Sequence, residues 1–261
     1  MRVLAITAAR NENAATQPAA PFGDVPEVSS VRIEAPRRAF VDAIDVRLSS
    51  PNPGAVIRCT FDGSEPTEEA AIYQGPFSIT ATTTVRARAF VEGMDDRFAA
   101  AATFTKLVPR EPHAAGGLQS GLACRYYEGA WERLPDFSAL APLRSVIAGQ
   151  LEVPEFARAE DIGMEFSGYL SVPADGVYTF HLWSDDGSAM DLGGERLIDN
   201  DGLHGSREQW ADVALRAGAH PVAITYFQHL GGAALELWVE GPGIDLRRVP
   251  QEWWGHVAGE R

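Results

Sequence analysis

Hydrophobic and polar residues alternate along much of this chain with the period of two that a half-buried strand produces. The clearest run is Thr84–Val91, where Val85, Ala87, Ala89 and Val91 share one face and Arg86 and Arg88 point the other way as a solvated sheet face. Val46 and Leu48 alternate with polar neighbours before a Ser50-Pro51-Asn52-Pro53-Gly54 turn, and Val56–Phe61 runs into Asp62-Gly63. Short strands at this spacing, separated by Pro/Gly turns, predict a small β-sandwich. Further along, Val177, Thr179, His181 and Trp183 alternate with Tyr178, Phe180 and Leu182, so both faces carry bulk. That pattern predicts a strand covered on both sides. Val222–Phe227 and Leu235–Val239 predict two more strands, with His229-Leu230-Gly231-Gly232-Ala233 as a hairpin loop between them. Glycine and proline are too frequent for long helices, and short helical turns are expected only near Arg158–Ile162 or Gln251–Gly255. The fold class is all-β, with two sandwiches.

The length of 261 residues fits two domains. Residues 1–30 read as an N-terminal extension, whose Ala/Pro/Asn/Ser-rich part from residue 11 is linker-like. A small immunoglobulin- or fibronectin-like sandwich is expected over 31–107, a Pro/Gly break over 108–116, and a larger sandwich over 117–258. The N-terminal MRVLAITAA stretch is too short for a signal peptide. That leaves either an intracellular protein or a piece of a longer exported chain. Cys59 and Cys124 lack any CxxC pattern and read as buried thiols.

Thirty-six acidic residues against 22 basic ones give a net charge of −14. Without a basic footprint, nucleic acid and anionic lipid are disfavoured, and a neutral ligand or a cation fits better. No apolar run approaches the roughly 18 residues of a membrane-spanning helix. Sequence signatures of catalysis are absent: there is no HExxH, no GxSxG and no phosphate-binding glycine loop. The six histidines never fall at ligand spacing on one strand. The chain is therefore expected not to be an enzyme.

Ser184-Asp185-Asp186-Gly187-Ser188 directly follows the Val177–Trp183 strand. Two readings fit it. Asp-Gly is a standard turn with a solvated aspartate; alternatively, a turned backbone lets both carboxylates meet one calcium ion, which accepts six to eight hard oxygens in loose geometry. Asp199-Asn200-Asp201-Gly202-Leu203-His204-Gly205 is also acidic, but Leu203 and Trp210 stand where a helix-loop-helix calcium loop needs ligands. It is either a set of Asx-turns or a second wall of the same cleft, facing it with Asn200 or Asp201. Among the aromatics, Trp210, Trp238, Tyr226, Phe227, Trp253 and Trp254 suit sugar stacking or core packing. Trp210, beside the acidic loop, is the candidate for ligand contact.

Taken together, GLACRYYEGAWERLPDFSAL, ADGVYTFHLWSDDGSAMDLGGERLIDNDGLHG and RAGAHPVAITYFQHLGGAALELWVEGPG, in that order between Gly117 and His256, resemble the protective-antigen-type (PA14) β-sandwich domain. The resemblance implies a sugar-binding module of the kind found in microbial glycosidases and yeast adhesins. In its lectin members a cis-linked Asp-Asp pair holds calcium, a role the resemblance carries to Asp185 and Asp186. The adhesins add a ligand, often Asn, from the loop before the last strands; here that loop is Gln228–Gly232, without an Asn, so Gln228 or main-chain carbonyls would substitute. On this resemblance Asn200, Asp201 and His204 line the cleft, and Trp210 or Gln228 orients the sugar. Within 31–107, IRCTFDGSEPTEEAAIYQGPFSITATTTVRARAFVEG resembles the chitobiase/β-hexosaminidase C-terminal module. Its FDGSEPT turn is expected to close through Asp62 and Ser64. The pairing implies the C-terminal part of a larger exported glycan-active enzyme, with an upstream catalytic domain and N-acetylhexosamine-type glycans as partners.

Overall fold

The computed structural model describes residues 31–92, 99–113 and 116–259, so the predicted N-terminal extension lies outside the described residues. The first sandwich pairs two sheets. One runs β1 (Arg32–Glu34), β3 (Ile44–Ser49), β6 (Phe77–Ile79). The other runs β2 (Ala39–Phe40), β8 (Ala100–Lys106), β7 (Thr83–Phe90), β4 (Val56–Thr60), β5 (Ala71–Ile72). Alternation in β3 and β7 buries Val46, Leu48, Val85, Ala87 and Ala89 against Phe104 and Cys59. The FDGSEPT turn closes as expected: Asp62 Oδ1 accepts from the Ser64 amide at 3.0 Å and from its hydroxyl at 2.6 Å. These bonds hold the Asp62 carboxyl below its ordinary pKa.

The second sandwich is larger. Its eight-stranded sheet follows the order β11 (Arg144–Ala148), β10 (Leu122–Glu128), β12 (Ile162–Val172), β17 (Gly218–Gln228), β14 (Ser188–Leu192), β15 (Glu195–Asn200). The short strands β9 (Gln119–Ser120) and β20 (Trp254–His256) attach beside β12. The facing sheet runs β16 (Arg207–Leu215), β13 (Gly176–Asp185), β18 (Ala234–Gly241), β19 (Ile244–Arg248). Tyr178, Phe180 and Leu182 of β13 meet Phe166, Ile224 and Tyr226 in one core. Cys124 lies in this core and Cys59 in the other; both are free thiols, and burial pushes Cys124 up to about 12. A 3₁₀ turn forms at Gln251–Trp253, whereas Arg158 to Asp161 is irregular and leads straight into β12. Among the described residues no helix is long and apolar enough to cross a membrane.

Two expectations change. β13 is not covered on both sides: Phe180 and Leu182 are fully buried, but on the other face Trp183 is 38% exposed. And β17 and β18 are not hairpin partners, because they belong to different sheets. The 229–233 segment is a crossing from one sheet to the other.

The Pro/Gly break between the sandwiches is docked along the second one. The Arg110 amide donates to Ala214 O at 2.9 Å, Arg110 O accepts from the Arg216 amide at 3.0 Å, and the His113 amide donates to Ala219 O at 2.7 Å. The Arg110 guanidinium donates to Leu192 O and pairs with Glu195 at 3.0 Å. From the first sandwich, Arg37 donates to Val177 O at 2.7 Å, and Ala39 packs on Val177 and Ala214. Arg110→Ala removes one charge-assisted bond and a partly exposed ion pair. It is expected to cost about 1–2 kcal/mol in urea unfolding and to speed proteolytic cleavage near residue 110. Wild-type values in both assays would mean that the side chain does not hold the segment.

Candidate functional site

Three connections cross between the two sheets of the larger sandwich at one end. Residues 186–187 link β13 to β14, 201–206 link β15 to β16, and 229–233 link β17 to β18. They meet on one carboxylate. Asp186 is buried; its Oδ1 accepts from the His204 amide at 2.9 Å and its Oδ2 from the His229 amide at 3.0 Å. A single side chain of the first crossing thus ties the other two together. Gly187 O accepts from the Phe227 amide at 2.9 Å, and a Cβ on Gly187 would stand 2.4 Å from the Phe227 ring, so only glycine fits there. The Asp185–Asp186 peptide is cis.

Asp185 differs from its neighbour. It is half-buried and makes no ion pair among the described residues. Burial, and next the charge of Asp186, push its carboxyl above the ordinary range. A Cβ built on Gly232 would lie 3.9 Å from Asp185 Oδ2, so the glycine-bearing crossing runs alongside a carboxylate that the Ser206 amide and His204 also approach.

Behind this pair lies a buried polar layer. Asn200 Nδ2 donates to Ser184 Oγ at 3.0 Å and to Arg207 O at 3.2 Å, while its Oδ1 accepts from Arg207 Nε at 2.7 Å. Ser184 and Ser188 hydroxyls lie 2.7 Å apart. Tyr226 donates its hydroxyl to Asp185 O at 2.6 Å, with Gln228 Oε1 at 3.2 Å, and Gln228 Nε2 donates to Leu230 O at 2.8 Å. Burial raises the Tyr226 phenol far above its usual pKa, which keeps it a donor.

The structure therefore gathers some of the expected residues and not others. Asp185, Asp186 and the His204 main chain come together. Asn200 and Gln228 are fully buried with their polar ends engaged inside the protein, so they shape the loops instead of facing a ligand. The Asp201 carboxylate accepts from the amides of Leu134 and Gly202, both at 2.7 Å, and faces the 133–134 segment. The His204 ring lies on Gly205 O and Asn200 O, within its own loop. Trp210 pairs with His181 on the open face of β13, four residues short of Asp185, or roughly 13 Å at ~3.3 Å per strand residue. Tyr226, Phe227, Trp253 and Trp254 are core, as one of the two readings had them.

Sequence reasoning missed Glu160 and Asp161. Asp161 Oδ1 lies 2.7 Å from His229 Nδ1 and Glu160 Oε1 accepts from the Gly231 amide at 3.3 Å, so the two hold the 229–233 crossing from its far side. They sit about 70 positions away in the chain, and no local pattern marks them.

Among the described residues no three His, Cys, Asp or Glu side chains gather around a common point. The donor set nevertheless suits a hard cation. Asp186 oxygens each have a lone pair left after one amide bond, Asp185 is adjacent, and a main chain rich in glycine lies beside it. Such a site needs main-chain carbonyls, water or ligand hydroxyls to complete it.

Fold and loop cluster define an all-β chain of two sandwiches, in which Ser184, Asp186, Ser188, Asn200 and Gln228 are buried where the larger one exchanges strands between sheets. The PA14 domain model matches residues 118–253, over half of the chain, and the protein belongs to that family. The chitobiase/β-hexosaminidase C-terminal domain model matches residues 36–101 ahead of it. No curated protein sequence matches. Solved structures similar in fold include the PA14 domain of the MpAFP antifreeze protein, at 14% identity over 56% of this chain and 96% of that one, TM-score 0.47. The PA14 sugar-binding domain from an RTX adhesin is 16% identical over 53% and 99% of the two chains, TM-score 0.46. The epithelial adhesin 9 A domain from Candida glabrata, in complex with Galβ1-3GlcNAc, is 12% identical over 59% and 99%, TM-score 0.47.

Proposed function

We propose that this chain is a non-catalytic carbohydrate-binding pair of domains whose sugar binding is calcium-assisted. It would serve as the C-terminal accessory part of an exported glycan-active enzyme acting on N-acetylhexosamine-type glycans. Membership of the PA14 family supports the sugar-binding reading, and the preceding module supports the enzyme context. One observation carries the site: two adjacent carboxylates have separate duties. Asp186 is buried and clamps two loops, whereas Asp185 is only half-buried, partly desolvated beside a like charge, and in no ion pair among the described residues. Calcium, when bound, supplies open coordination positions that a sugar's vicinal hydroxyls can fill. Asp185 and Asp186 would hold it, and the glycine main chain of 231–232 would border the sugar. Little apolar area is buried in such a contact, so single-site affinity should be about 10⁻³–10⁻⁵ M.

Asp185→Asn tests this with little disturbance of the fold, because the side chain keeps an acceptor oxygen for the Ser206 amide and loses a charge that burial and Asp186 disfavour more than His204 and Ser206 favour it. In a glycan-array scan with calcium and again with EDTA, the calcium-dependent part of the wild-type signal is expected to vanish in the variant. Its melting temperature in EDTA should equal or exceed that of wild type. A variant that binds as wild type does would remove Asp185 from the site. Silence of the wild-type chain in both conditions would end the lectin reading.

A second observation favours an additional role for the first sandwich. Phe61 is 47% and Ile72 51% exposed, and with Tyr73 and Phe77 they line a depression of about 390 Å³. Such a patch suits packing against a neighbouring domain. Array silence would leave that spacer role as the function of the chain.

A further inference from the structure

The open face of the β16-β13-β18-β19 sheet carries side chains that core packing does not explain. A solvated sheet face ordinarily carries polar residues. Here the strand register sets two rows side by side: Trp210, His181 and Trp238, then Glu208, Trp183 and Glu236. Trp183, at 38% exposed, and Trp210, at 60%, stand open, and Leu246 from β19 is 53% exposed. His181, Trp183, Glu208, Glu236, Trp238 and Leu246 line a shallow depression of about 260 Å³. Described contacts with the first sandwich stop at Val177 and Ala214, two residues before Thr179 in the β13 row and four before His181, so that module does not cover the depression.

The polar groups of the depression are held in place. Trp238 Nε1 donates to Glu236 Oε2 at 2.8 Å, and Arg248 lies 3.8 Å from Glu236 Oε1. Glu208 engages His181 Nδ1, while His181 Nε2 is buried without a partner among the described residues. Cross-strand neighbours stand roughly 5 Å apart and successive rows roughly 7 Å, so an indole face and flanking carboxylates fall within the span of one sugar ring. The volume lies below the roughly 300–1,000 Å³ of drug-sized ligand pockets, which suits one ring lying flat. An apolar peptide would bury both carboxylates at a desolvation cost. An anion would meet them directly. Because each carboxylate already has a partner, it offers lone pairs for hydroxyl protons and not an unpaired charge for an ammonium group.

We infer that this face is a second, metal-independent binding site for a neutral pyranose ring of a glycan. The ring would stack on Trp183 and Trp238, with hydroxyls donating to Glu208 and Glu236. It shares a ligand class with the Asp185–Asp186 site, but no residue and no cation. Its continuity with that site is direct, since Asp185 follows Trp183 two residues on along β13, on the same face of the strand.

The test uses the full chain carrying Asp185→Asn, in EDTA, on an array of neutral glycans, so that the first site cannot contribute. Binding is expected to persist there, and to fall about tenfold or more when Trp183→Ala is added, the size of a lost ring contact. Glu208→Gln should weaken it less. Circular dichroism and melting temperature serve as controls that the sheet is intact. No EDTA-resistant binding by the Asp185→Asn chain would overturn the proposal, as would binding that Trp183→Ala leaves unchanged. Recognition confined to cationic amino sugars would overturn it too. None of these outcomes bears on the calcium-dependent signal of the wild-type chain, so the two sites stand or fall separately.

Discussion

Asp186→Asn is expected to lower calcium-dependent glycan binding by about tenfold or more and, unlike Asp185→Asn, to destabilise the larger sandwich by about 1.5–3 kcal/mol. The reason lies in what Asp186 accepts. Its two oxygens take the amides of His204 and His229, which belong to different sheet crossings. Asparagine presents an amide NH₂ to one of those N–H groups, so a charge-assisted bond becomes two facing donors in a buried setting. The remaining bond weakens as well, because the charge is gone. Urea unfolding in EDTA measures the loss of stability, and calcium titration by calorimetry measures the loss of metal binding. A variant with wild-type stability would show that the carboxylate does not clamp the loops. Unchanged calcium affinity would exclude it as a ligand.

The largest effect on stability is expected at Tyr226. On β17, which lies between β12 and β14, its side chain is fully buried in the core, and its hydroxyl supports Asp185 O at 2.6 Å. Tyr226→Ala should cost about 3–5 kcal/mol, the range for deleting a buried aromatic ring and leaving a cavity. Tyr226→Phe keeps the ring and loses only the hydroxyl bonds, for about 1–2 kcal/mol. The Phe variant should also weaken calcium-dependent binding, since it frees the main chain that carries Asp185. Denaturant midpoints for the two variants separate volume from hydrogen bonding. Equal losses would mean that the ring contributes no packing of its own.

Much of this was legible in the chain. Period-two alternation located β3, β7 and β13, because a strand's side chains alternate between its faces, and β-rich apolar runs located β4, β17 and β18. The Asp62–Ser64 turn was legible because donor and acceptor lie two residues apart. Spacing alone left Asp185 and Asp186 as either an Asp-Gly turn or a cation site, and the resemblance to the PA14 domain pointed to the second. Features that depend on a partner distant in sequence leave no local signature. Alternation in Val177–Trp183 showed bulk on both faces but not which face lacked a facing sheet. Gly231-Gly232 suggested a turn, yet a turn within a sheet and a crossing between sheets use the same residues. Asn200 and Gln228 were the right kind of residue for a ligand site, but their amides serve buried neighbours, Arg207 and Leu230. Nothing local distinguishes those two fates.

By itself the sequence determined an all-β chain of two sandwiches, an acidic surface, two buried thiols and a carboxylate pair at the end of one strand. Those are properties of composition and of neighbours within a few residues, where side-chain period and turn chemistry act. Tertiary structure alone decided that three crossings meet on Asp186, that Asp185 stays open, and that a tryptophan-bearing sheet face remains uncovered. Each of these depends on which strands share a sheet. That choice is made by burial summed over the whole core, and no short stretch of the chain encodes it.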